Sequence, residues 1–175
     1  MNKTRSITLG GLLVSMGLIL HFVESMVPMT AVVPGARLGL ANIISLVGLV
    51  IFGFKGGFII LLLRIILGSL MAGTFMTINF YLSFSGGVLS FTAMAVVLYL
   101  FRKQFSLVGV SVVGAVFHNL AQIITANFII ANPGIFYYLP YLILLAIPTG
   151  IGVGLVSHFS LNYLSAEIMK EVHDV

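Results

Sequence analysis

The sequence predicts an all-α fold: a polytopic membrane helix bundle of about six transmembrane helices, with both termini cytoplasmic. Three observations carry this. Of 175 residues, 60% are hydrophobic and 7% charged, and the mean hydropathy is +1.21; an average soluble chain is about 25% charged. The apolar residues fall into six continuous stretches that do not alternate, which excludes a closed barrel. Basic residues recur at alternate connections, as expected when those connections stay in the cytoplasm.

The spans are expected at roughly 6–23, 38–54, 57–73, 80–101, 107–131 and 136–158, within a single integral membrane domain over 1–175. The first follows Lys3 and Arg5 and lacks a cleavage site, so it reads as an anchor and not a signal peptide. Only Lys55-Gly56 separates the second and third, which predicts a tight helical hairpin. Arg102 and Lys103 follow the fourth span, and Lys170 lies in a cytoplasmic tail over 159–175 expected to form a short surface helix. The connections near 72–79 and 131–135 carry no basic residue, which places them outside. The first connection is long and apolar. It carries Pro28 and Pro34 and reads either as a segment closing over the outer mouth or as a plain interfacial link.

Several polar groups fall inside these spans. His118, Asn119 and Gln122 interrupt the fifth, with His118 and Gln122 on one helical face. Such groups are costly in hydrocarbon, so this face turns inward, toward a functional site or toward helix–helix hydrogen bonds. Arg64 sits near the centre of the third span, where insertion costs about 2.5–3.5 kcal/mol, so it too must face inward. The acids are Glu24, Glu167, Glu171 and Asp174. Glu24 alone is near the outer side, so Arg37 and Arg64 outnumber local carboxylates. That imbalance points to an anionic small-molecule ligand, with Asn42 among the added hydrogen-bonding groups. His21 and Glu24, three residues apart, form a candidate gate or mouth pair with Pro28 and Pro34. Gly11 and Ser15 make a small-xxx-small face, either packed within the bundle or docking a partner subunit.

What is missing narrows the function. There is no cysteine, P-loop, HExxH motif or nucleophile elbow. With one aspartate, Asp174, the polypeptide alone cannot ionise an allylic diphosphate through clustered aspartates and magnesium. No catalytic residue, metal, cofactor or nucleic acid is expected, and the chain is not read as an enzyme by itself.

Pro34-Gly35-Ala36-Arg37-Leu38-Gly39-Leu40-Ala41-Asn42, Leu63-Arg64 with Gly68-Ser69, Ser85-Gly86-Gly87, and the run from Phe105 through Gly114 to His118-Asn119-Leu120-Ala121-Gln122 resemble the Gx transporter family. That family is also called heptaprenyl diphosphate synthase component I. The resemblance covers nearly the whole chain, and the family is similar to the S components of energy-coupling factor (ECF) transporters. It implies a six-helix ECF S-component-like bundle in a bacterial cytoplasmic membrane, with a substrate site near the outer face under the first loop. It also implies a transmembrane coupling subunit and two ATPases, docked on the face of the first span. Related carriers typically have an alanine pair there, where this chain has Gly11 and Ser15. The family name implies instead a prenyl diphosphate synthase catalytic subunit as partner, and suggests a quinone or isoprenoid precursor as cargo. A third reading is a proton-driven carrier relayed by His21, Glu24 and His118; the scarcity of carboxylates in the spans argues against it.

Overall fold

The computed structural model describes residues 3–26, 39–101 and 104–173, with side chains to residue 24 in the first segment and to 164 in the last. Pro28, Pro34 and Arg37 lie outside the described residues. The elements are α1 (Lys3–Met26), α2 (Asn42–Met71), α3 (Ile78–Leu100), α4 (Leu107–Ile130), a 3-10 turn (Pro133–Tyr138) and α5 (Leu139–His173). Five helices are long and apolar enough to cross a membrane. The chain is therefore a multi-pass membrane protein.

Two predicted boundaries change. Segments 38–54 and 57–73 form one helical element, and its break falls at Gly53, not at Lys55-Gly56. Gly53 has φ 69° and ψ −171°, a region essentially reserved for glycine. Residues 49 and 57 of an unbroken helix would stand about 12 Å apart. Here a methyl group at Gly57 would lie 2.9 Å from the Leu49 backbone nitrogen. The arms of α2 on either side of Gly53 thus double back against each other. The second change is in the tail: α5 runs without a break to His173, so no separate surface helix forms.

The core sits where these arms meet their neighbours. Leu46, Leu49, Leu61, Ile65, Phe91 and Met94 join both arms to α3. Leu13, Val14, Ile43, Val47 and Ile60 join α1 to the arms, and Val153 brings in α5. Outward, Phe128, Phe22 and Leu144 are 80%, 63% and 67% exposed, as hydrocarbon solvation of a bundle allows.

Glycines set the spacing. Gly114 faces the Met94 side chain, and Gly150 and Gly154 lie against the α4 backbone at Val112 and Val108. Helices approach this closely only with no side chain between them. α1 is different: no atom lies within 4 Å of a Cβ built at Gly10 or Gly11. Gly11 and Ser15 are exposed, and the Ser15 hydroxyl donates to the Gly11 carbonyl at 3.0 Å. Among the described residues, then, nothing packs on this face.

Candidate functional site

Five helical segments bring polar groups to one cleft. Near its end, α1 supplies His21 and Glu24; the turn before α2 supplies Gly39, and the first arm Asn42. The second arm supplies Arg64 and Ser69, α3 supplies Ser83, and α4 supplies His118. The cleft spans about 430 Å³ of space between atoms, open solvent included, but in this conformation it has open room for only about one water.

The sequence explains how each group gets there. Gly17 lets the Arg64 stem cross α1: a methyl group there would lie 2.7 Å from Cδ of Arg64. Arg64 is 6% exposed, and its Nη2 reaches the Ser45 hydroxyl of the facing arm at 3.5 Å. Gly68 receives the His21 ring in the same way, and Gly86 receives His118. The Glu24 carboxylate accepts the backbone N–H of Gly39, whose φ is 71°. That bond ties the end of α1 to the turn at Gly39–Ala41. The turn then starts α2, with Asn42 N–H donating to the Gly39 carbonyl at 2.8 Å.

A second compartment continues from the first. Gly39, Asn42 and His118 line both. Ser111 and Asn119 of α4 and Thr149 of α5 complete it, and it spans about 260 Å³ of space between atoms, open solvent included. Asn119 Nδ2 donates to the Leu142 carbonyl at 2.8 Å, and Thr149 donates to the Leu145 carbonyl at 2.9 Å.

The predicted site residues divide. His21, Glu24, Asn42, Arg64 and His118 meet in the outer compartment, and Asn119 lines the inner one. Gln122 is buried over Gly86 and lines neither. Its amide atoms find no hydrogen-bond partner among the described residues. Sequence reasoning overlooked Ser45, Thr74, Ser83 and Thr149, and named Ser69 only within a motif. For Ser83 a signal existed: it stands three and four residues before Gly86 and Gly87, whose absent side chains mark the inward face.

The family model for heptaprenyl diphosphate synthase component I matches residues 13–160. The chain belongs to that family. No curated protein and no solved structure matches it. For this member of the component I family, the matched stretch takes in both compartments and leaves out Gly11.

Proposed function

We propose that this chain is a membrane substrate-binding subunit, S-component-like, of an ECF-type transporter. It takes up a small vitamin-like or quinone/isoprenoid-precursor molecule across the bacterial cytoplasmic membrane, powered by a coupling subunit and two ATPases. The observation that carries the reading is the convergence of Arg64, Glu24, His21, Asn42 and His118 on one cleft inside an apolar bundle. Isolated polar residues serving only helix association would have no reason to gather. A buried guanidinium beside hydrogen-bonding groups and one carboxylate, Glu24, offers an anion a bidentate partner.

The topology supports it. α1 runs parallel to the second arm of α2, with Gly17 at Arg64 and His21 at Gly68. In this reading the two arms of α2 count as separate passes, and the first arm, α3, α4 and α5 alternate in direction, which would make six. Lys3, Arg5 and Lys55 gather at one end, which becomes cytoplasmic together with both termini. The cleft lies toward the other end, where the described part of α1 ends and α2 begins. The outward face around Gly11 and Ser15 is left for the coupling subunit.

The test is purification in mild detergent with mass spectrometry of the bound proteins and small molecules, alongside Arg64→Ala and His118→Ala. Recovery of a membrane coupling subunit with paired ATPases is expected, and both variants should lose the co-purified molecule while remaining folded. Retention of that molecule by both variants would sink the site assignment.

The family description favours a second reading, a non-catalytic membrane subunit of a polyprenyl diphosphate synthase. Recovery of an aspartate-rich synthase without ATPases would put it first.

A further inference from the structure

We propose that the inner compartment is a single-group recognition pocket. It takes one uncharged hydroxyl or amino substituent of a small monoanionic ligand, read by Ser111, while Arg64 holds the anion. This rests on the substrate-binding reading above and narrows its substrate class.

The Ser111 hydroxyl carries the argument. Buried helix serines usually return their proton to the preceding turn. Ser157 does so here, donating to the Val153 carbonyl at 2.8 Å. Ser111 is only 2% exposed, and its Oγ has no hydrogen-bond partner among the described residues. A buried hydroxyl left unpaired costs about 1–3 kcal/mol, and this one lines a cavity.

Three further observations define the occupant. The open room in the compartment fits about one water, the size of a hydroxyl or amino group. Among the described residues its wall holds no lysine, arginine or carboxylate, which suits an uncharged group. Thr149 spends its one donor on a backbone carbonyl, and Asn119 spends one of its two amide N–H groups on another. The Thr149 oxygen can still accept, while the second Asn119 N–H and the Ser111 hydroxyl can still donate, so the pocket suits a group that both donates and accepts, as a hydroxyl or amino group does. The anion is read at the other end. Among the described residues the outer compartment has one arginine, enough to pair one carboxylate bidentately, and also a carboxylate, Glu24, which disfavours a multiply charged diphosphate. Along α4, Ser111 stands about 10 Å deeper than His118, so the two ends belong to one elongated small molecule.

The test uses benzoate and 4-hydroxybenzoate, a rigid monoanion with a hydroxyl at its far end, with farnesyl diphosphate as the contrasting probe. Binding is measured by isothermal titration on the full chain in nanodiscs. Wild type should bind 4-hydroxybenzoate about tenfold more tightly than benzoate, since a polar pocket rejects an analogue that cannot satisfy it. Ser111→Ala and Thr149→Val should each remove that preference by weakening the hydroxylated probe alone, while Arg64→Gln should weaken both. Equal binding of the two acids, a preference that survives both inner variants, or binding of farnesyl diphosphate alone would overturn the proposal. So would no binding of any probe. If Arg64→Gln abolishes binding while the inner variants change nothing, the inner pocket fails and the substrate-binding reading stands. If no variant changes binding, both fall.

Discussion

Gly152 and Gly154 sit two residues apart on α5, yet adding the same methyl group to each should have opposite effects. At Gly152 a Cβ meets no atom within 4 Å. At Gly154 it would lie 2.6 Å from Cα of Val108 and 3.1 Å from Cβ of Ser111. Carbon atoms pack best at about 3.5–4.0 Å, so the overlap at Gly154 is about 1 Å. It falls on backbone, which cannot rotate away. Both substitutions gain helix propensity of about 0.8–1.0 kcal/mol. Only Gly154→Ala also pays for overpacking, about 1–3 kcal/mol. Gly152→Ala should therefore stabilise by up to about 1 kcal/mol. Gly154→Ala should destabilise by up to about 2 kcal/mol, leaving the variants about 1–3 kcal/mol apart. Unfolding by sodium dodecyl sulfate in a mild detergent, followed by far-ultraviolet circular dichroism, measures the difference. Coincident midpoints, or Gly152→Ala as the less stable variant, would refute the glycine-mediated contact between α4 and α5.

Gly53→Ala should destabilise by roughly 1–3 kcal/mol, because a side chain is strained at that backbone conformation; an unchanged melting temperature would show that the reversal does not need glycine. Glu24→Leu leaves the Gly39 N–H without its acceptor, at a cost of about 1–3 kcal/mol. Hydrogen exchange at Gly39 should accelerate in the Leu variant and not in Glu24→Gln, which keeps an acceptor oxygen; equal exchange in both would remove Glu24 as the tie.

The fold class was legible because apolar runs of spanning length admit few alternatives. The chain reversal inside 38–73 was legible from its length and from Lys55, but its position was not. Lys55-Gly56 looks like the turn, yet Gly53 takes the glycine-only conformation and Lys55 continues the helix. At the site, charge scarcity picked out Arg64 and Glu24, and both line the cleft. The triplet His118, Asn119 and Gln122 looked like one cluster, but helical rotation splits it. His118 faces both compartments, Asn119 spends its amide on the Leu142 carbonyl, and Gln122 turns toward Gly86. The overlooked serines and threonines were hidden for a different reason. A hydroxyl that can bond its own helix is cheap in an apolar span, so its presence alone carries little information.

The distribution of glycine contacts also divides the bundle mechanically. α3, α4 and α5 interlock through Gly86, Gly114, Gly150 and Gly154, so none of them can slide without a clash. Among the described residues α1 packs only against α2, and its opposite face meets nothing. The outer compartment thus has one wall carrying Ser83 and His118 on the interlocked helices and another carrying His21 and Glu24 on α1. The two walls of the compartment are therefore held by different numbers of helices: three interlocked ones on one side, and α1 on α2 on the other.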